Sequence, residues 1–255
     1  MMAPGLSVVM IVRDEEKSLA DALDSVSFAD EIVVVDSGSG DRTVAIARER
    51  GAKVVVTEDW PGFGPQKNRA LAQATRDWVL SIDADERVTP ELREEIRRIV
   101  SGENPTSHDA YDLPRLSSYC GRFMRHGGWW PDRVTRLFRR DKARFSDDLV
   151  HERVVVQGTT GLLAGKLLHH AFDDLEEVLR KVDAYSTASA KMMHARGKRG
   201  SLAAAILHGY WAFVRTYFFQ GGFLDGRHGF MLAVSNAEGT YYRYVKLMLL
   251  GEKKG

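Results

Sequence analysis

Four short apolar runs recur through the first hundred residues, and each is followed by a segment of helical period. LSVVMIV (Leu6–Val12) is a continuous β-branched run, as expected of a strand covered on both faces. DEEKSLADALDSV follows it, with Leu19, Ala22, Leu23 and Val26 on one helical face and acids in its first turn. EIVVVD (Glu31–Asp36), AKVVVTE and WVLSID are three further strands. Between them SGSGDRTVAIARERG reads as a turn and helix, with Asp41 as N-cap and Gly51 as C-cap, and QKNRALAQAT reads as another helix. Thr89-Pro90 caps and opens ELREEIRRIV. Strands alternating with helices at this spacing demand right-handed crossovers and a mainly parallel α/β sheet. Ligands of such sheets bind at the carboxyl ends of the strands, and Asp36 and Asp83 both stand at such ends.

The pattern changes near residue 108. YDLPRLSSYCGRFM, VTRLFRRDKARF, ERVVVQG and GLLAGKLLHHAF read as strands or extended arms around the turn HGGWWPD. From about 173 the period is helical again, in stretches near 173–195, 201–219 and 227–250. The expected organisation is a catalytic domain over 1–172 and a C-terminal helical region over 173–255. Lys and Arg number 36 against 35 Asp and Glu, so overall charge gives no reason to expect a nucleic-acid partner. The single cysteine, Cys120, excludes an intrachain disulfide. MMAPG has neither the basic start nor the cleavage site of a signal peptide, so a cytoplasmic location is expected.

WVLSIDADERVTP places three carboxylates within four residues, at Asp83, Asp85 and Glu86. Two carboxylates about 5 Å apart repel by roughly 3 kcal/mol at an effective dielectric near 20. A plain turn would use Asn, Gly or Ser at no such cost, so something positive belongs between them. Asp83 and Asp85 suit a hard divalent cation such as Mg²⁺, which completes its octahedron with water and substrate phosphates. The plainer alternative is a solvated turn whose acids favour the helix that follows.

Val12-Arg13-Asp14-Glu15 and Val35-Asp36-Ser37-Gly38-Ser39-Gly40-Asp41 end the first two strands in polar loops of the kind that bring N–H groups and acids to a nucleotide. Asp36 either accepts a hydrogen bond from a base N–H or serves its own turn. Neither GxGxxG nor GxxxxGK[ST] occurs, which counts against a dinucleotide fold and a P-loop ATPase.

LSVVMIVRDEE, EIVVVDSGSGDRT, GPQKNRALAQATRDWVLSIDADE and LVHERVVVQG…LLHHAFDDLEEVLRKVDAY, in that order, resemble the family 2 glycosyltransferases of GT-A fold. More narrowly they resemble the lipopolysaccharide inner-core heptose β-glucosyltransferases. The resemblance spans nearly the whole chain and implies a GT-A, Rossmann-like α/β sheet with a C-terminal helical extension. It implies uracil and ribose contacts at Arg13, Glu15 and Asp36, though RDEE stands where many relatives carry Asn before the Glu. It also implies a diphosphate contact at Lys67, a Mn²⁺ or Mg²⁺ pair at Asp83 and Asp85, and a third metal ligand or diphosphate contact at His169. Glu86 orients the loop in this reading. Lys181 and Tyr185 match family positions to which no role is attached here.

Departure of a nucleoside diphosphate needs a cation on its phosphates, and inversion needs one base about 3 Å from the acceptor hydroxyl. By resemblance the base is Glu152, in Val150-His151-Glu152; the plainer alternative is a strand-face residue paired with Arg153 or Arg139. The expected activity is transfer of a sugar, glucose first among candidates, from a UDP-sugar to a glycolipid or lipopolysaccharide-core acceptor. Competing classes are a nucleotidyltransferase that makes nucleotide sugars and a non-catalytic nucleotide-sugar binding module. Trp129 and Trp130 form either an apolar face for a sugar or packing under a loop. AAAILHGYWAFVRTYFF (Ala203–Phe219) is either a docked core helix or a membrane-surface element. In the second case Arg196, Lys198, Arg199, Arg227, Arg243 and Lys246 face anionic headgroups, and the enzyme is peripheral on the inner face of the cytoplasmic membrane.

Overall fold

The computed structural model describes residues 3–103, 108–146 and 152–252. Its contacts divide the chain into two units, one of residues 1–115 with 132–169 and one of residues 116–131 with 170–255.

The first unit opens with β1 (Ala3–Val12), α1 (Leu19–Ser25), β2 (Glu31–Asp36), α2 (Thr43–Glu49), β3 (Lys53–Val56), α3 (Phe63–Gln73) and β4 (Arg76–Ser81). Then come β5 (Glu86–Val88), α4 (Pro90–Ser101) and β6 (Ala110–Tyr119), whose last four residues belong to the second unit. After β7 (Arg122–Phe123), described below, β8 (Asp132–Arg139), β9 (Ala143–Phe145), β10 (Val154–Val156), β11 (Thr160–Leu162) and β12 (Leu167–His169) complete the first unit. The sheet runs β3-β2-β1-β4-β8-β6-β12-β5. Its first four strands are parallel, as the alternation demanded, and β8 then joins β4 antiparallel.

Burial explains why these runs are continuously apolar. Leu6, Val8, Met10 and Val12 of β1 pack with Leu19 and Leu23 of α1 and with Leu92 and Ile96 of α4. Val9 faces the other way, beside Val33, Val35, Val79 and Ala70 and Leu71 of α3. Both faces of the parallel strands are therefore covered. From β1 the chain steps outward to β2 and β3, whereas β4 lies on the other flank of β1. The strand order reverses between β1 and β4, and a ligand crevice opens at the carboxyl ends on either side of such a reversal.

Thr89 Oγ1 accepts a hydrogen bond from Leu92 N at 3.3 Å and Pro90 opens α4, as the sequence indicated. Gly51 takes the left-handed conformation just past α2 (φ 76°). Asp41 caps α2 from one residue further out, since Arg42 is the flanking residue and Asp41 Oδ1 accepts from Thr43 N at 2.9 Å. The first helix is shorter than its apolar period implied. The N–H groups of Asp14, Glu15 and Glu16 donate to Ser39, Thr43 and Asp41 of the next loop, so the chain turns helical only at Leu19.

The second unit begins with a hairpin. Tyr119 pairs with Arg122 across Cys120 and Gly121, both at positive φ, the two-residue turn that matches strand twist. Around it stand α5 (Leu175–Ala195), α6 (Leu202–Val214) running into a π-helical turn (Arg215–Phe219), a 3-10 turn (Gly222–Asp225) and α7 (Gly226–Glu252). These reproduce the three helical stretches read from sequence. The loop after β7 is fixed by Asp225, a buried carboxylate that accepts the N–H groups of Arg125 and His126 at 3.0 and 2.8 Å. Trp129 packs against Tyr119 and Phe172, with ring centroids 5.9 Å from each. No helix among the described residues is long and apolar enough to cross a membrane.

Gly165 lies where a Cβ would stand 2.5 Å from the backbone N of Leu92. Gly165→Ala is expected to cost about 2 kcal/mol, seen as a lower urea midpoint for unfolding; an unchanged midpoint would mean that this loop yields freely.

Candidate active site

The strand order reversal puts the loops after β1, β2 and β4 side by side. Glu15 stands in the first of them. Burial pushes its carboxyl up, and the charges of Asp85, Asp41 and Asp83 add to the rise, while a hydrogen bond from Ser18 opposes it. Asp36 is buried at the end of β2 and accepts hydrogen bonds from Gly38 N and Ser39 N, each at 2.9 Å, and from the Ser39 hydroxyl. Its turn-stabilising role is thus present, and a carboxylate's four acceptor positions leave room for another donor. Arg13 is exposed and makes a 3.8 Å ion pair with its neighbour Asp14.

Three consecutive residues of α3 do three different things. Gln66 donates to Ser37 and Thr57 at 3.0 and 2.7 Å and so holds the loop after β2. Asn68 exchanges a pair of 2.9 Å hydrogen bonds with the backbone of Phe145 and fixes β9. Lys67, buried between them, extends its Nζ to 3.1 Å from Asp83 Oδ1 and 3.0 Å from Glu152 Oε1. The base candidate is therefore paired with Lys67, not with Arg153 or Arg139. Val150 and His151 lie outside the described residues.

Positive charge does sit among the acids of the β4 loop, and much of it is arginine. Arg136 on β8 reaches Asp83 Oδ2 at 2.6 Å and Glu86 Oε1 at 2.7 Å. Burial alone would push the Asp83 carboxyl up; Arg136 and Lys67 override it and hold the group far below the usual carboxylate range. Burial would likewise weaken the charge on Arg136, but Asp83 and Glu86 fasten its proton more firmly than usual. Glu86 is fully buried and also accepts the backbone N–H of Asp83 at 3.0 Å, so it orients the loop. These groups line a cleft of about 430 Å³ that gathers Lys67, Arg115, Arg133, Arg136 and Arg153 around Asp83 and Glu152. Five cations facing two carboxylates suit an anionic ligand such as a diphosphate.

Asp85 is differently placed. Its Oδ2 lies 3.3 Å from His169 Nε2, and its buried Oδ1 has no hydrogen-bond partner. His169 arrives there because β12 pairs with β5, setting it opposite Glu86. The next residue, His170, stacks edge-on against Phe123 of the second unit. Among the described residues no three His, Cys, Asp or Glu side chains converge as a ready-made metal cage. An orphaned carboxylate oxygen beside an imidazole fits a Mg²⁺ or Mn²⁺ ion that keeps most of its shell for water and phosphate.

The fold therefore places a cation-rich cleft at the carboxyl end of β4, on the flank of an α/β sheet that adjoins β8. Residues 7–150 match the family model Glycosyl transferase family 2, more than half of the chain, and the protein belongs to that family. It is 32% identical to an uncharacterized glycosyltransferase of Rickettsia typhi, RT0209, over 97% of this chain and 88% of the relative. It is also 32% identical to the lipopolysaccharide core biosynthesis glycosyltransferase LpsC of Rhizobium meliloti, over 95% of this chain and 91% of that one. Among solved structures, residues 1–349 of S. aureus TarS in complex with UDP-GlcNAc align over 97% of this chain and 92% of theirs, at 15% identity and a TM-score of 0.49.

Arg136→Leu leaves the buried Glu86 with only the longer, 3.4 Å ion pair to Arg115 and should destabilise the protein by about 3 kcal/mol in urea unfolding. Adding Glu86→Gln should restore part of the loss. Because the folded-state Asp83 carboxyl is depressed, the stability it contributes is complete above about pH 4 and erodes as the pH falls further. Asp83→Asn should flatten that acid limb, and an unaltered limb would place the titration elsewhere.

Proposed function

We propose that the protein is an inverting glycosyltransferase that moves a sugar, glucose first among candidates, from a UDP-sugar to a glycolipid or lipopolysaccharide-core acceptor. The observation that carries this reading is the placement of Lys67 between Asp83 and Glu152 in a cationic cleft at the carboxyl end of β4. The acceptor class is supported by the likeness to LpsC. In this reading residues 1–172 bind donor and perform the chemistry, and 173–255 form a helical region associated with the membrane. The enzyme works in the cytoplasm, at the inner face of the cytoplasmic membrane.

Arg13 and Glu15, in the loop after β1, and Asp36, at the end of β2, serve uracil and ribose. Lys67 and Arg136 face the diphosphate and take up the charge that grows on it as the sugar leaves. Asp85 and His169, with Asp83 beside them, would hold a Mn²⁺ or Mg²⁺ ion, which would supply further neutralisation of the leaving diphosphate. Glu152 accepts the proton of the acceptor hydroxyl while that oxygen attacks C1 of the donor sugar from the face opposite the phosphate. Without donor, Lys67 is shared by Asp83 and Glu152. A diphosphate competes for the same ammonium and frees Glu152 to act as base.

Glu152→Gln should lower turnover by about two to four orders of magnitude while UDP still binds. Unchanged turnover would remove Glu152 as base. Asp85→Ala should abolish metal-stimulated transfer, and a wild-type rate without metal would refute the ion assignment. A thermal-shift panel of UDP-sugars with Mn²⁺ reports the donor, since a ligand of the native state raises its apparent stability.

A further inference from the structure

The C-terminal helices place their side chains in an unusual way. The face of α6 that meets α7 is made of Ala205, Gly209 and Ala212, all buried. A Cβ on Gly209 would stand 3.2 Å from Tyr241 Cβ and 3.3 Å from Ala237 O, so the two backbones approach closely there. The large side chains consequently point outward. Leu207, Tyr210 and Phe219 are 66%, 69% and 74% exposed, and Ile206, Trp211 and Phe218 are also more than half exposed.

The patch continues past the π-helical turn, where Phe223 and Leu224 are exposed as well. Its rings touch one another: Trp211 lies 5.6 Å from Phe219, and Tyr217 lies 5.1 Å from Phe218 and 6.3 Å from Phe223. It is a continuous aromatic surface, not a scatter of single exposed residues of the sort that needs no explanation.

Charge identifies what covers it. Residues 184–224 contain no Asp or Glu, but do contain Lys191, Arg196, Lys198, Arg199 and Arg215. A second copy of the chain related by a two-fold axis would bring the same patch, and the same cations, face to face. An anionic bilayer offers acyl chains to the rings and headgroups to the cations. The 13 residues of α6 span about 20 Å, short of the roughly 30 Å hydrocarbon core, so the element lies along a membrane and does not cross it.

We propose that α6, the π-helical turn and the 3-10 turn after it form a monotopic docking surface for a bilayer containing anionic lipid. The inference deepens the functional reading above and takes its biological sense from it, since a lipid-borne acceptor is met at a bilayer. Its physical basis is a separate set of residues.

The test is flotation of the full chain with phosphatidylcholine vesicles prepared with and without phosphatidylglycerol. The protein should float with the anionic vesicles and be released by raised salt. Leu207→Ser with Phe219→Ser should weaken binding about tenfold or more. Lys198→Glu with Arg199→Glu should weaken it at least about twentyfold. All four positions are exposed, so circular dichroism should report a native fold. Absence of flotation with either lipid overturns the proposal, as does flotation that ignores both pairs of substitutions. A dimer in solution that Leu207→Glu dissociates, without flotation, assigns the face to a second copy and equally overturns it. Sugar transfer to a soluble acceptor, measured in parallel, should be unaffected by either pair. A wild-type protein that floats but transfers no sugar sinks the enzymatic reading alone.

Discussion

Asp83 is a carboxylate held between two cations, and the geometry of the cleft follows from how it is neutralised. Lys67 approaches one oxygen from α3 and Arg136 the other from β8. Each cation carries a second acid with it, Glu152 for Lys67 and Glu86 for Arg136. The chain of contacts therefore runs from Glu152 through the β4 loop to a fully buried glutamate that grips that loop's backbone. In a low-dielectric setting such a network is stable only while every member is paired. That makes the resting arrangement specific in shape, and it makes Lys67 the member whose withdrawal would be felt by two carboxylates together.

Asp83 and Glu86 of this network were legible in the sequence because they crowd into four residues after an apolar strand, whereas Glu152 was reached through the family resemblance. The network's arginine was not legible. VTRLFRRDKARF reads as a strand rich in cations, and no local pattern says which of Arg136, Arg139, Arg140 and Arg144 turns inward. Pairing settles it: Leu80 of β4 lies opposite Leu137, which brings Arg136 beside the loop that follows β4. The repulsion argument did predict a positive partner for Asp83, yet it pointed to an ion where the fold supplies two side chains. Asp85 keeps the argument alive for a cation, because its orphaned oxygen is the one acid oxygen of the loop that the protein's own donors leave alone.

Other differences from the sequence reading have the same origin, in contacts between segments far apart in the chain. The first helix loses its opening turn to side chains of the next loop, a trade in hydrogen bonds that periodicity does not register. Residues 116–131 join the C-terminal helices although their composition continues that of the strands before them. Tyr119 hydrogen-bonds Ser235 at 2.8 Å, and Asp225 satisfies the N–H groups of the loop that follows. The elements themselves were readable, and their allegiance was not.

The orientation of α6 shows why a helix that is apolar nearly all round resists interpretation from sequence. Hydrophobic burial alone would turn Leu207, Tyr210 and Trp211 inward, since a large apolar side chain gains about 1.5–3 kcal/mol on full burial. Close packing favours the opposite face. Ala205, Gly209 and Ala212 let two backbones meet with Tyr241 and Ala237 of α7 filling the space above Gly209, and dispersion grows with the number of atoms brought into contact. In water the second choice leaves a large apolar area without compensation. An apolar phase over the outward face, as proposed above, would compensate for it, and the absence of acids from 184–224 suits the charged boundary of such a phase.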